Sequence, residues 1–334
     1  MPKARHKQAR GRLGHHMRST PHILVIHGTK VQRPVFVLGA PHSGADLIAR
    51  ALKRSPGFHL TAGRPSVLRV TYAFARRPAI ATERVVGAAR VLRDAYAESW
   101  QISARTCAEC PPDCRELAGL RLRAGATPAE ADRAGPCVEK GSVTRFGDAS
   151  PDLLYSADVL LDAFPDAQLV QVIRDGRDVV SDMLTDERCL AWFRPGLANL
   201  ETVFPNPFLG VEDVEERARW TEAAPAVKCA LRWRGAVRLS ARLRAQTPEE
   251  QLLTVRYEDL VAHPARVAGA VAGYLGTEIP AATVSGLVRP GDREAEPPET
   301  GVWRERLSPR QITQVEKVAG VELARLGYPL AGAG

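Results

Sequence analysis

The chain has 334 residues, 45% of them hydrophobic and 25% charged, with a net charge of +8. That is the composition of an ordinary globular chain with enough apolar material for a large core. No run of about 18 apolar residues occurs, so a membrane span is not expected.

Residues 1–20 hold six Lys or Arg and no acid, which leaves the remainder near +2. Residues 1–21 therefore read as a basic, solvated, disordered tail. Because the excess charge lies in that tail, the high pI does not mark the folded part as a nucleic-acid binder, and no specific nucleic acid is expected as partner. The tail has no apolar stretch of the kind a secretory signal needs, and a cytoplasmic protein is expected. Residues 22–330 read as one domain.

"PVFVLG", residues 34–39, is a continuous apolar run of the kind found in a buried parallel strand. It leads into Gly39-Ala40-Pro41-His42-Ser43-Gly44 and then a helix whose Leu47, Ile48, Ala51 and Leu52 share one face. Ser55-Pro56-Gly57 ends that helix. Such a strand–turn–helix presents backbone N–H groups and a positive helix end to an anion. The Gly39–Gly44 spacing matches a nucleotide-binding Walker loop, but Ala45-Asp46 stands where Lys and Ser/Thr are required. That counts against a kinase or ATPase. Taken alone, the loop equally fits a turn with no ligand.

Residues 64–105 read as largely helical. Cys107, Cys110, Cys114 and Cys137 follow in a segment, about 106–140, that reads as an insertion or lid. Their C-x2-C-x3-C-x22-C spacing could supply four thiolates to a structural zinc. A local disulfide and free thiols fit the spacing as well, whereas a secreted disulfide framework does not. In "SPDLLYSADVLLDAFPDA", Ser150 is a candidate N-cap and Pro151 a first helical residue.

"QLVQVI", residues 168–173, is a second strand, and "RDGRDVVSDML" turns from its end into a helix. Ligands of open parallel sheets bind at strand C-termini. Arg174 and the Gly39 loop are therefore expected at one edge, where they suit a ligand with two anionic groups. Arg177 and Asp178 fit an ordinary helix-start ion pair. Residues 196–210 read as a loop near a pocket, 212–245 as helical, and Gln251–Tyr257 as a third strand. A helical pair ending at Gly276 comes next, then an acidic loop over 292–301. Ser308 caps a final helix with Pro309 at its first position. Strands alternating with helices predict an α/β fold with a mainly parallel sheet flanked by helices.

Four segments, in order, resemble the sulfotransferases that use 3′-phosphoadenosine 5′-phosphosulfate (PAPS), particularly the bacterial branch related to tyrosylprotein sulfotransferases. They are "PVFVLGAPHSGADLI", "FPDAQLVQVIRDGRDVVSDM", "VRYEDLVAHP...GYLG" and "GVWRERLSP...LGYPL". The resemblance spans about 34–330 and implies a P-loop-like three-layer fold for 22–330. It also implies transfer of a sulfuryl group from PAPS to a hydroxyl or amine, on a small-molecule or peptide acceptor, without a catalytic metal. By position, Gly39, Ala40, Pro41, His42, Ser43, Gly44, Ala45 and Asp46 would face the 5′-phosphosulfate. Arg174 would face the 3′-phosphate. The alternative is a catalytically impaired sulfotransferase-fold protein that binds a nucleotide or a partner.

Several positions depart from the family pattern. His42 replaces the usual loop Arg or Lys, and Ala45-Asp46 the usual Thr-Thr. The Ser expected eight residues after Arg174 is Asp182, with Ser181 one place early, and Ala149 stands for a Lys in "GDASP". A carboxylate beside a bound phosphate is costly unless paired or protonated. Three accounts fit. Asp46 turns away to pair with Arg50 at i+4, leaving Ser43, Ser181 and backbone N–H groups to hold the anions. Alternatively, His42, Lys140 or Arg145 replaces the lost cations. In the third account the donor site no longer works. No acid stands near Ala62 or Gly63, where relatives place a catalytic base. His59, Asp148 and Glu139 are candidates instead, His59 reading equally as a surface loop residue and Asp148 as a brace for its turn.

Overall fold

The computed structural model describes residues 23–76, 85–108, 110–117, 129, 135–193, 210–288 and 299–332. The basic tail, most of the 196–210 loop and most of the acidic loop lie outside the described residues.

A small antiparallel hairpin, β1 (Val25–Ile26) and β2 (Thr29–Lys30), opens the described chain. Then come β3 (Val35–Gly39), α1 (Ala45–Lys53), β4 (Phe58–Thr61), α2 (Pro65–Arg76) and α3 (Val85–Ser99). Past the cysteine segment lie β5 (Arg145–Asp148), α4 (Ala157–Ala163), β6 (Gln168–Ile173) and α5 (Gly176–Met183). The C-terminal part holds α6 (Pro225–Gln246), β7 (Leu252–Arg256), α7 (Pro264–Leu275), α8 (Ala281–Val288) and α9 (Pro309–Arg325).

Strands β3 to β7 form one sheet in the order β4-β5-β3-β6-β7, and every neighbouring pair is parallel. The apolar run in β3 is buried on both faces because successive side chains alternate between two layers. Phe36 and Leu38 point into a core with Tyr96 of α3, Trp100 just after it, Phe164, and the helices α4, α6 and α9. Val35 and Val37 point into a second core built by α1, α7 and α8. Phe36, Tyr96 and Trp100 form an aromatic cluster, with Tyr96 and Trp100 ring centroids 4.7 Å apart. This is the α/β, three-layer architecture of helices on both faces of a parallel sheet, as expected from the alternation.

β4 and β5 were not anticipated from sequence. Each has four residues, and "RFGD" contains one large apolar side chain. They are strands through pairing: Leu60 lies opposite Gly147, and Val35 of β3 lies opposite Gly147 on the other side. The helix expected from Pro151 is a 3-10 turn over Pro151–Ser156, and α4 starts at Ala157. Ser150 does not cap it with its side chain; its hydroxyl accepts from the Gly63 N–H at 2.5 Å instead. Residues 212–245 divide into a short helix, Val214–Arg219, and α6, which starts at Pro225. Ser308 caps α9 in a full capping box with Gln311. Among the described residues no helix is long and apolar enough to cross a membrane.

Candidate active site

The loop after β3 and the end of β6 meet because the two strands run parallel in register. Gly39 lies opposite Val172, so the Gly39–Gly44 turn and Arg174 emerge together at the C-terminal edge of the sheet. The turn is tight. A Cβ on Gly39 would stand 2.3 Å from Ser43 Oγ and 2.9 Å from the Val172 carbonyl oxygen. Gly44 has φ 86°, and a Cβ there would stand 2.2 Å from the Tyr257 ring. A side chain at Gly44 would thus meet both backbone strain and a clash. His42 is also left-handed, with φ 59°.

Asp46, at the mouth of the loop, faces outward. Its carboxylate is 3.5 Å from Arg50 one helical turn on, with the Asp46 side chain 55% exposed. Arg50 also reaches Glu116 at 3.2 Å. Ser43 is buried and its hydroxyl has no hydrogen-bond partner. The hydroxyl of Ser181, on α5, is buried without a partner in the same way.

Arg174 is buried, its guanidinium 4.2 Å above the Tyr257 ring. It donates to the His42 carbonyl at 2.9 Å and to Asp182 at 2.6 Å, while its Nε has no acceptor. The other oxygen of Asp182 accepts from Arg306 at 3.1 Å. Asp182, at the expected serine position, is therefore held between two arginines.

His42 keeps 28% of its side chain exposed, and its Nε2 is 3.1 Å from Asp186 and 3.5 Å from the Cys189 thiol. Burial opposes the charge of Asp186. The Arg188 N–H, the Arg188 charge and His42 outweigh it and hold the carboxyl below its usual range. Asp186 also caps the short helix Glu187–Ala191. Burial pushes the Cys189 thiol up to about 11.

The predicted Arg177–Asp178 pair does not form. Asp178 instead accepts the backbone N–H groups of Gly301 and Trp303, at 2.7 and 2.9 Å, and so fixes the "GVW" segment over α5. Arg177 binds Asp175, Glu316 and the Pro329 carbonyl, with its guanidinium 4.0 Å above the Trp303 ring. It braces the C-terminal helix against α5.

The base candidates lie apart. His59 is a residue of β4 with no exposed surface, so it is neither a loop histidine nor open to an acceptor. Its ring stands edge-on to Phe146, and neither nitrogen has a partner. Burial first, then the charge of Lys53, lowers its pKa to about 4. Asp148 ends β5, fully buried, and accepts from the Thr61 hydroxyl at 2.6 Å and the Ser150 N–H at 2.8 Å. It braces that turn, and burial pushes its pKa up to about 6. Glu139, Lys140 and Arg145 lie before or at the start of β5, at the opposite end of the sheet from the loop. Arg145 there donates to the Leu275 carbonyl and to Gln168. Lys140 and Arg145 therefore do not replace the missing loop cations.

Sequence reasoning missed a polar cluster beyond His42. Asp152, just past Asp148 in "GDASPD", accepts from Tyr72 at 2.7 Å and lies 3.4 Å from the buried Arg232. Trp192 packs edge-on to Tyr72, and the Arg232 guanidinium is 5.4 Å above the Trp192 ring. The charges of Arg232, Asp186 and Asp152 all act on Cys189, which links this cluster to His42. The only sequence signal was the pair Arg232 and Arg234 within the otherwise apolar "ALRWRGAV". Trp220 and Trp303 are core residues.

No curated protein matches the sequence. Solved structures similar to the chain include the sulfotransferase domain of the Synechococcus PCC 7002 olefin synthase. It is 16% identical, with a TM-score of 0.44, over 87% of this chain and 96% of that one. Sulfotransferase STF9 from Mycobacterium avium is 16% identical, with a TM-score of 0.44, over 90% and 79%. Mouse sulfotransferase SULT7A1 complexed with PAP is 13% identical, with a TM-score of 0.41, over 87% and 84%. A family model described as "Sulfotransferase family" matches residues 34–204, which take in the anion-suited loop, Arg174 and α5, and just over half of the chain. The chain belongs to the sulfotransferase family.

Proposed function

We propose that the protein transfers a sulfuryl group from PAPS to a hydroxyl or amine of a small-molecule or peptide acceptor. The observation that carries this reading is the pair of buried, unpartnered hydroxyls of Ser43 and Ser181, together with Arg174 at the same sheet edge. Buried polar groups are normally satisfied, so orphaned hydroxyls in an anion-suited loop and on the neighbouring helix fit an absent polyanion. Asp46 does not obstruct the loop, since it turns outward to Arg50.

PAPS, when bound, supplies the sulfuryl group and a phosphate leaving group. The acceptor oxygen or nitrogen bonds to sulfur as the bond from sulfur to the phosphate oxygen breaks, adenosine 3′,5′-bisphosphate leaves, and the acceptor's proton is released to water. The Gly39–Gly44 turn and the N-terminus of α1 meet the charge that gathers on the leaving phosphate. His59 and Asp148 are fully buried, whereas His42 keeps an open side chain, and Asp186 orients it. Its place in the loop suits it to contact the donor's anionic end. Tyr72, Asp152 and Arg232 are proposed as part of the acceptor wall.

A specific observation also favours the alternative, an impaired nucleotide- or partner-binding protein: Asp182 occupies Arg174. The two readings separate in one titration. Adenosine 3′,5′-bisphosphate at about 100 times its Kd should add about 2.7 kcal/mol of stability. No shift at millimolar bisphosphate would reject PAPS as donor. Stabilisation by ATP only with magnesium would point to a kinase instead.

A further inference from the structure

We propose that Cys107, Cys110, Cys114 and Cys137 bind one structural zinc ion that fastens the 104–117 segment to α1 and β4. The sequence spacing left zinc, a disulfide and free thiols open; the tertiary arrangement separates them.

Three of the cysteines lie on or between the short helices Ala104–Ala108 and Pro112–Leu117, and Cys137 comes back to them from beyond residue 134. The thiols of Cys107, Cys110 and Cys137 all lie within 4.8 Å of one another. Cys114 is buried in the same cluster. The Cys110 and Cys137 sulfurs are 3.9 Å apart. A disulfide requires about 2.05 Å. Tetrahedral zinc with bonds of about 2.3 Å to sulfur places its ligand sulfurs about 3.8 Å apart, close to the Cys110–Cys137 separation.

A second, independent observation concerns charge. Lys53, Arg64 and Arg115 are buried around the cluster at 7%, 6% and 2% exposure. Lys53 donates to the Cys114 thiol at 3.1 Å and to the Leu60 carbonyl at 2.5 Å. Arg64 donates to the Thr106 carbonyl, and Arg115 to the Cys107 carbonyl. Among the described residues none of the three has a carboxylate partner, and Arg64 and Arg115 each keep two buried nitrogens without acceptors. Buried cations are costly without counter-charge. A zinc ion held by four thiolates is a dianion, and it would supply that charge at the place where the cations converge. Four thiolates around a single centre also suit zinc better than the hard cations magnesium or calcium.

The consequence is mechanical. Lys53 is the last residue of α1, the helix that opens at the donor loop, and Leu60 belongs to β4. The metal would lock the cysteine segment onto both elements without touching Arg174 or Ser43. The proposal is therefore independent of the donor's identity.

Elemental analysis of the full chain, purified without chelator, tests it, with one zinc per chain as the expected result. Exchange with cobalt should give the intense thiolate-to-cobalt charge-transfer bands of a tetrahedral sulfur site. Cys107→Ser and Cys137→Ser should lose the metal, and Cys229→Ser should keep it. If the first two variants do not fold, the cobalt spectrum of the unaltered chain decides. A folded, metal-free protein with four alkylatable thiols, a Cys110–Cys137 disulfide found by mass spectrometry, or iron in place of zinc would each overturn the proposal.

Discussion

The carboxylate of Asp182 sits 2.6 Å from Arg174 through one oxygen and 3.1 Å from Arg306 through the other. The strongest cation at the candidate donor edge is thus already neutralised from within the chain. A phosphate arriving at Arg174 must share it with Asp182 or displace that side chain toward Arg306.

The first prediction follows directly. Asp182→Ser removes the competing charge and should tighten adenosine 3′,5′-bisphosphate by about 1.5–3 kcal/mol, the range for a charged hydrogen bond. Arg174→Ala should weaken it by a similar amount. Calorimetric titration measures both, and an unchanged affinity in the two variants would remove Arg174 from the donor site.

Arg177 should behave in the opposite way. Its guanidinium is buried against Asp175, Glu316 and Trp303. Arg177→Ala leaves the buried Asp175 and the partly buried Glu316 without their partner, and about 3–5 kcal/mol of stability should be lost. Bisphosphate affinity of the fraction that folds should stay close to that of the unaltered protein. Denaturant unfolding and titration, run side by side, tell the two arginines apart.

Asp148 makes stability depend on pH. Its folded pKa of about 6 lies above the ordinary aspartate value of 3.8, because burial disfavours the charged form. The folded state therefore binds the proton more tightly. The resulting stabilisation is complete below about pH 3.8 and is lost as pH rises through about 6. At neutral pH the buried charge costs about 3 kcal/mol. Asp148→Asn keeps an acceptor for the Ser150 N–H and should flatten stability between pH 4 and 6. A variant with an undiminished slope over that range would assign the titration to another group.

Asp46→Ala should be nearly silent. The Asp46–Arg50 pair is half-exposed, and such pairs contribute about 0–1 kcal/mol. Bisphosphate affinity should not fall. A large change in affinity, in either direction, would mean that the carboxylate reaches the loop when ligand is bound.

Features carried by local pattern were legible in the sequence. The β3 run, the glycine-bounded turn, the β6–α5 junction and the Ser308 capping box each depend on residues within a few positions of one another. Parallel pairing of Gly39 with Val172 then placed the loop and Arg174 at one edge, as the alternation of strands and helices required. Tertiary structure decided the rest. β4 and β5 are too short to declare themselves, and they exist as strands because β3 gives β5 a partner and β5 gives one to β4. That pairing buries His59 and turns Asp148 inward, which changes what each residue can do. The partner of a charge is equally non-local: Arg306 meets Asp182 across 124 positions, and Lys53 meets Cys114 across 61. A sequence displays a residue's charge and size, whereas its protonation, reach and partners are fixed by which distant segments fold against it.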